Sequence, residues 1–261
     1  MSRRQPLWIP LFGVYAAAMF LLLALLTLVL LLVLPAASLR SRLAHHSARW
    51  LLRLTAVSVT LEQRGNMPNS ACIVVANHAS YLDGLLLKAV LPGHFRFVIK
   101  KEMSRVPLVG LFLRRIGSYF VDRANRHSGA MDTRRILRAA SHGDSLGFFP
   151  EGTFKPEPGL GRFHTGAFVI AVHAGLPVVP VCIKGSRQAL PPTSPWLRPA
   201  RLTVTILQPI PQPLPGSAAA SRQATAVALR DLTRARMLAH LAEPDLTQPD
   251  STPLPCPAPD L

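Results

Sequence analysis

The amino-acid sequence predicts an α/β domain, in which a mixed β-sheet is flanked by helices, behind an N-terminal membrane helix. Short runs of apolar or alternating residues, typical of strands, take turns along the chain with longer segments of helical character. Polar residues follow several of these runs, as they do at the ligand-binding edge of open α/β sheets. The membrane helix is indicated by residues 11–34, which contain no charged residue.

The uncharged segment 11–34 would extend about 36 Å as a helix, which is enough to cross a bilayer. A signal peptide is one alternative, because Arg3 and Arg4 resemble its basic start, although the apolar run is longer than usual. A re-entrant hairpin that bends at Pro35 is another, and the sequence leaves it open. Arginines are more numerous after the segment than before it, which favours the cell inner membrane with the following domain on its cytoplasmic face.

Residues 39–54 predict a basic amphipathic helix, suited to an anionic membrane surface or to packing on the next domain. The chain of 261 residues carries 29 Lys and Arg against 13 Asp and Glu, a net charge of +16 that favours an acidic partner. Because no zinc-finger or RNP-type pattern occurs, nucleic acid is not expected as a partner. Cys72, Cys182 and Cys256 form no CxxC pair, which indicates a reducing compartment and no metal site.

The predicted elements follow in order from periodicity and from end signals. Residues 56–63 alternate at period two as a half-exposed strand does, and residues 73–76 are continuously apolar and β-branched as in a buried strand. Ser128 as a cap and Gly143 as a stop bound a later helix. Further strands are predicted at 95–99, 117–121, 145–149, 178–183 and 202–207, and further helices from Ser80 and at 106–116, 163–174 and 217–241. The expected domains are 1–56 for the membrane and amphipathic helices, 57–242 for the α/β domain, and 243–261 for a disordered proline-rich tail.

The segment from Asn77 to Asp83 carries the candidate catalytic pair. Ser80 followed three residues later by Asp83 is a capping-box pattern, so His78 falls in the loop between a strand and a helix. From the first helical turn Asp83 can fold back and fix one ring nitrogen of His78, which leaves the other nitrogen as a general base. The alternative is that Asp83 only caps the helix and that His78 is an ordinary loop histidine.

A serine hydrolase is a competing interpretation, because residues 143–147 satisfy G-x-S-x-G around Ser145. A nucleophile elbow needs a strand before the serine and a helix after it. Here a helix is predicted to end at Gly143 and a strand to begin at Ser145, so the match is interpreted as accidental.

Four motifs in order resemble those of the lysophospholipid acyltransferase family, which contains the bacterial 1-acylglycerol-3-phosphate acyltransferases. The matching stretches are Asn77-His78-(x4)-Asp83, Gly117 to Arg123, Phe149-Pro150-Glu151-Gly152-Thr153, and Val179-Pro180-Val181. The resemblance implies a glycerol-3-phosphate acyltransferase-like fold and O-acyl transfer from acyl-CoA or acyl carrier protein to a lysophospholipid, with no cofactor beyond that co-substrate. The acceptor it favours is 1-acylglycerol-3-phosphate, and a lyso-aminolipid is the alternative.

The resemblance also implies roles for individual residues. His78 would be the base with Asp83 as its partner, Arg123 would bind the acceptor phosphate, and Glu151, Gly152 and Thr153 would contribute to acceptor binding. On charge alone, Lys101 is a further candidate for an anionic headgroup. Glu151 could equally brace its own turn. The family often has arginine after the threonine of the third motif, whereas this chain has Phe154 and then Lys155, which leaves the headgroup less defined than the reaction.

Overall fold

The computed structural model describes residues 8–122, 126–212 and 222–247. Within these ranges the strands are β1 Ser58–Glu62, β2 Ile73–Ala76, β3 Arg96–Lys100, β4 Tyr119–Val121, β5 Leu146–Phe148, β6 Val178–Lys184 and β7 Arg201–Ile206. The helices are α1 Trp8–Val33, α2 Ala37–Leu54, α3 Leu82–Val90, α4 Val109–Arg115, α5 Arg126–Ser141, α6 Gly166–Ala174, α7 Ser186–Ala189 and α8 Arg222–Leu241. Two 3₁₀ segments, Arg64–Asn66 and Lys101–Arg105, complete these elements.

The described strands form a sheet in the order β1-β7-β6-β2-β5-β3-β4. Neighbouring strands run parallel except for β6 and β7, which are antiparallel, so the predicted mixed sheet is confirmed. Because β2, β5, β3 and β4 are adjacent and parallel, their carboxyl ends meet at a common edge. This is the edge at which ligands bind in open α/β sheets.

Helices cover both faces of the sheet, as the buried strands require. Every residue of β2 is buried, which explains its continuous apolar sequence. On one face the core includes Ile136 of α5, Phe168 of α6 and Met237 of α8. On the other face it includes Leu52 of α2 and Leu86 of α3. The predicted α/β layers are therefore present, with α2 packed directly against the sheet domain.

Helices α1 and α2 form an antiparallel hairpin. The Tyr15 hydroxyl donates to the Leu54 carbonyl at 3.0 Å, and the Thr27 hydroxyl donates to that of Ser47 at 2.9 Å. Arg40 at the start of α2 donates to the carbonyl of Pro35 at 2.7 Å, which closes the bend. The segment 9–33 of α1 is long and apolar enough to cross a membrane.

Several boundaries differ from the prediction: the helices predicted at 106–116 and 163–174 are Val109–Arg115 and Gly166–Ala174, and two further differences have a clear physical reason. Helix α3 begins at Leu82 rather than at Ser80, because the residues before it form a loop around the Asp83 carboxylate. The chain after residue 242 was predicted as a disordered tail, yet its described part pairs with the domain: the N–H of Leu160 donates to Pro244 at 2.9 Å, and Arg234 Nη1 donates to Asp245 at 3.0 Å. Long-range pairing therefore includes residues 244 and 245, and residues 248–261 lie outside the described residues.

Candidate active site

The candidate site lies where β2, β5 and β3 end side by side. His78 follows β2, Glu151 follows β5 and Lys101 follows β3. Asn77, buried just before His78, fixes the end of β2 to β6: its side-chain amide donates to the Ile183 carbonyl at 2.9 Å, and its oxygen accepts the Ile183 N–H at 2.7 Å. The loop that carries His78 therefore leaves the sheet at a defined point.

The His78 and Asp83 side chains meet as the spacing predicts. His78 Nδ1 lies 2.9 Å from Asp83 Oδ2, and the same oxygen accepts the N–H groups of Ala79 at 2.7 Å and Ser80 at 2.8 Å. The Asp83 side chain is 0% exposed and that of His78 is 18% exposed. An ionised Asp83 holds the proton of His78 on Nδ1, which leaves Nε2 as a proton acceptor. The capping interaction and the His78 contact thus coexist on one oxygen.

Glu151 acts on the same loop from the neighbouring strand. Its Oε1 accepts the backbone N–H of His78 at 2.8 Å, and its Oε2 accepts that of Gly161 at 2.9 Å. Burial raises the pKa of Glu151, while these two hydrogen bonds work against that shift. Both carboxylate oxygens therefore hold backbone amides of other loops, whereas the alternative left open by the sequence was that Glu151 braces its own turn at Gly152.

Aromatic rings enclose the imidazole of His78. The Phe149 ring stacks on it with centroids 4.3 Å apart, and the Phe154 ring meets it edge-on at 4.8 Å. Tyr81, whose side chain is largely exposed, packs edge-on against Phe154 at 4.7 Å. These contacts limit the orientations of the imidazole and shield it from bulk water on two sides.

The other predicted site residues are distributed along the same edge. Lys101 Nζ lies 3.1 Å from Asp122 Oδ2, so its charge is already paired. Gly152 occupies the left-handed region with φ +81°, which turns the chain directly after Glu151, and Thr153 is exposed. Arg123 lies outside the described residues.

Ser145 does not have the surroundings of a hydrolase nucleophile. It is buried, 3% exposed, and it lies before β5 at the opposite edge of the sheet from His78. Its hydroxyl accepts the backbone N–H of Cys72 at 3.4 Å. Burial raises the pKa of Cys72 and of Cys182 to about 12, so neither thiol is a nucleophile near neutral pH. Among the described residues, no group of three or more His, Cys, Asp or Glu side chains could hold a metal ion.

Two contributors to the site were not assigned a role from the sequence. Asn77 was noted as part of the first motif, but its bonds to Ile183 join residues 106 positions apart. Phe149 belongs to the third motif, and only the tertiary structure brings its ring onto His78. A buried polar residue at the end of an apolar strand was the available signal for Asn77, because such a side chain needs a partner.

The chain is similar in sequence and fold to known acyltransferases. Residues 58–184 match the model of the Acyltransferase family. The chain is 31% identical over 174 residues to the 1-acyl-sn-glycerol-3-phosphate acyltransferase of Saccharomyces cerevisiae, covering 65% of this chain and 56% of that protein. It is 33% identical over 143 residues to the lyso-ornithine lipid O-acyltransferase of Pseudomonas aeruginosa, covering 54% of each.

The crystal structure of the 1-acyl-sn-glycerophosphate acyltransferase PlsC from Thermotoga maritima matches with a TM-score of 0.65 and 22% identity, over 88% of this chain and 95% of that chain. At this identity the match shows the fold. The chain aligns with between 37% and 56% of the length of the first curated relatives. The activities in their names are therefore hypotheses for this chain.

Proposed function

We propose that this chain, whose residues 58–184 match the model of the Acyltransferase family, moves a fatty acyl group from a thioester to the free hydroxyl of a lysophospholipid. The thioester is acyl-CoA or acyl carrier protein, and the principal acceptor is 1-acylglycerol-3-phosphate, which becomes phosphatidic acid. The names of the curated relatives support this acceptor.

The observation that carries the proposal is the contact between His78 and Asp83. Nε2 of His78 removes the proton of the acceptor hydroxyl while that oxygen attacks the thioester carbonyl. The tetrahedral intermediate then collapses, the carbon–sulfur bond breaks, and the thiolate takes the proton back from the imidazolium. Asp83 stabilises the imidazolium through Nδ1, 2.9 Å away. The products are the diacyl lipid and the free thiol.

The residues around the pair divide into positioning and binding roles. Glu151 is a positioning residue, because its oxygens hold the His78 and Gly161 amides at 2.8 and 2.9 Å. The headgroup would be bound by Arg123, which follows β4 in the sequence, and by the exposed turn at Gly152 and Thr153. Lys101 would be a positioning residue, because its ion pair with Asp122, at 3.1 Å, holds the residue that precedes Arg123.

A lyso-aminolipid is the second candidate acceptor. The relative from Pseudomonas aeruginosa is named a lyso-ornithine lipid O-acyltransferase. In addition, Phe154 stands where the lysophospholipid acyltransferase family often has arginine, and its ring packs against His78 and Tyr81. An acceptor without a terminal phosphate monoester would need less positive charge at this position.

We expect the enzyme to sit on the cytoplasmic face of the cell inner membrane with α1 lying in one leaflet. Along its length α1 is bonded to α2, through Tyr15 near its start and Thr27 near its end. A perpendicular span would drag α2, which carries arginines and packs on α3, into the hydrocarbon. This favours a topology in which both ends of α1 stay on the cytoplasmic side, as in the re-entrant alternative, but with α2 outside the hydrocarbon.

The test is an acceptor panel on purified, reconstituted full-length protein with acyl-CoA and acyl carrier protein as donors. Lysophosphatidate, lysophosphatidylglycerol and lyso-ornithine lipid are offered separately, and the products are identified by mass spectrometry. Acylation of lysophosphatidate above the others supports the principal proposal, and acylation of lyso-ornithine lipid alone supports the second. Acylation of none of them would contradict both.

A further inference from the structure

An exposed apolar loop, residues 103–109, lies between β3 and α4. Met103, Val106, Leu108 and Val109 are exposed by 38%, 42%, 63% and 40%. Apolar side chains scattered singly over a surface need no explanation, whereas neighbouring ones mark an interaction surface. Residues 105–109 are all exposed, so this loop presents a continuous apolar tip.

The 103–109 loop is held in shape by its own contacts. The N–H of Gly110 donates to the Val106 carbonyl at 2.8 Å, and Arg114 Nη1 donates to the Ser104 carbonyl at 2.9 Å. At the tip, the N–H of Val109 donates to Pro107 at 2.6 Å across Leu108, whose φ is +60° and ψ −49°. This γ-turn conformation is unfavourable for leucine. The loop therefore holds the Leu108 side chain in solvent at a conformational cost.

The 103–109 loop lies near the end of α1, which indicates the surface that it contacts. At the end of α4, Arg115 donates through Nε to the Leu31 carbonyl at 3.0 Å and through Nη2 to that of Leu32 at 2.6 Å. Helix α4 is about 10 Å long, so the loop at its start lies close to the end of α1. There Leu32 and Val33 are exposed by 48% and 75%. The apolar tip thus lies about one short helix away from the apolar surface of α1, which the proposed function places in the membrane.

The charges around the loop fit an anionic bilayer. Arg105 and Arg114 are exposed beside the apolar residues, while the neighbouring Lys100 is paired with the exposed Glu102 at 3.3 Å. Apolar side chains inside a basic rim are the pattern of segments that insert at the headgroup boundary of anionic membranes. If the loop bound another protein, its position near the end of α1 would have no explanation. The net charge of +16 disfavours pairing with a second copy of this chain.

We infer that the 103–109 loop is a second membrane contact, inserting its apolar tip into the same anionic leaflet as α1. The inference rests on the proposed function, because it takes the acceptor to come from that leaflet. The loop follows the carboxyl end of β3, which is the edge that carries His78. Two separate contacts, α1 and the loop, fix the tilt of the domain and keep this edge facing the lipid.

The test places a fluorescent label at the tip of the loop in the full-length protein. Leu108→Cys is made in a Cys256→Ser background; Cys72 and Cys182 are buried and do not compete for the label. Leu21→Cys on the exposed face of α1 is the reference for insertion, and Met131→Cys on α5, which is 62% exposed, is the matched control. Vesicles of phosphatidylglycerol and phosphatidylcholine carry a quencher on the acyl chain. We expect quenching at positions 108 and 21 but not at position 131.

An unquenched label at position 108 overturns the inference. If the label at position 21 is still quenched, membrane attachment through α1 and the proposed function both stand. If it is not, the attachment that the proposed function expects fails as well. A different outcome is that the label at position 108 is shielded from solvent without vesicles and that the molecular mass of the protein rises with its concentration. This outcome would identify a second copy of the chain as the occupant and would also overturn the inference.

Vesicle binding and activity of variants with a charged loop provide a second test. The double variant Val106→Asp with Leu108→Asp should weaken binding to anionic vesicles about tenfold, since two apolar side chains leave the bilayer. It should slow acylation of long-chain lysophosphatidate in vesicles but not that of a short-chain, water-soluble analogue. Met131→Asp with Leu232→Asp is the control and should change neither. Equal vesicle binding by both double variants would contradict the inference.

Discussion

Asp83 Oδ2 lies 2.9 Å from His78 Nδ1 while it also accepts the N–H groups of Ala79 and Ser80. The carboxylate is fully buried, so the backbone of its own loop holds it in place under the imidazole. A group bonded in this way cannot rotate away from His78 without losing backbone hydrogen bonds in a buried position. The pair is therefore preorganised before any substrate binds.

The first prediction concerns the charge of Asp83. Asp83→Asn should lower the rate of acyl transfer by roughly 100-fold or more, because an amide does not stabilise the imidazolium. The amide oxygen can still accept the N–H groups of Ala79 and Ser80, so the fold should be retained. Steady-state kinetics and circular dichroism of the same preparation test this. A variant with wild-type turnover would contradict the role of Asp83.

The second prediction separates bracing from substrate binding at Glu151. In Glu151→Gln one oxygen is replaced by a donor, so the amides of His78 and Gly161 cannot both be accepted. We expect kcat to fall by up to about 100-fold with little change in the acceptor KM, because a small misplacement of His78 is costly.

Gly161→Ala is the matched variant for this prediction. A Cβ at position 161 would lie 2.8 Å from the Oε2 of Glu151 and would displace the carboxylate without removing it. The kinetic pattern should resemble that of Glu151→Gln. A raised KM with unchanged kcat in both variants would instead assign Glu151 to the headgroup.

The third prediction concerns a buried lysine between α2 and α3. Lys88 is 7% exposed, and its Nζ donates to the Ser41 hydroxyl at 2.9 Å and to the Gly93 carbonyl at 3.0 Å. Burial lowers the pKa of Lys88 to about 8. The native state therefore loses this proton at lower pH than the unfolded state, so the free energy of unfolding should rise between about pH 8 and the ordinary lysine pKa near 10.4.

Denaturant unfolding in detergent at several pH values measures this effect, with Lys88→Met as the comparison. The difference in unfolding free energy between wild type and variant should shift in favour of wild type as the pH rises through this window. A difference that is independent of pH would contradict the burial of a titrating lysine.

The fourth prediction concerns the segment after α8. The Arg234 guanidinium holds the pKa of Asp245 well below its ordinary range. This pair therefore contributes stability above the ordinary pKa of aspartate, and the contribution is lost as the pH falls through the lowered value. At neutral pH, Asp245→Asn should lower the melting temperature by about 2–4 °C, which corresponds to about 1 kcal/mol.

Asp231→Asn is the control for Asp245→Asn. Asp231 also pairs with an arginine, Arg230 at 2.8 Å, but it is 59% exposed. Exposed pairs contribute little, so its melting temperature should be unchanged. Equal melting temperatures for both variants would mean that residues 243–247 do not stabilise the domain.

The sequence was sufficient for the fold class and for the His78–Asp83 contact because both depend on local patterns. Continuous apolar residues in β2 require burial, and the short spacing from His78 to Asp83 keeps both side chains at the start of α3. The pairing of Leu160 with Pro244 could not be predicted, since no local signal marks contacts between residues so distant in the chain. For the same reason, composition alone made residues 243–247 look disordered.

The partners of Lys101 and Glu151 could not be predicted from the sequence, because they come from other parts of the chain. A charged residue at a strand end suggests a ligand, yet Lys101 is paired with Asp122, a partner that only the adjacency of β3 and β4 supplies. The two backbone amides held by Glu151 come from different loops, so its bracing geometry required the tertiary structure. The headgroup-binding role of Arg123 stays a prediction.

The most direct test of the proposed reaction is the single-turnover rate of acyl transfer from acyl-CoA or acyl carrier protein to lysophosphatidate by His78→Ala. Ser145→Ala is measured in parallel as a variant outside the candidate site. We predict that His78→Ala loses roughly 100- to 10,000-fold in rate while Ser145→Ala retains the wild-type rate. A His78→Ala variant as fast as wild type, or a Ser145→Ala variant that has lost activity, would contradict general-base catalysis by His78.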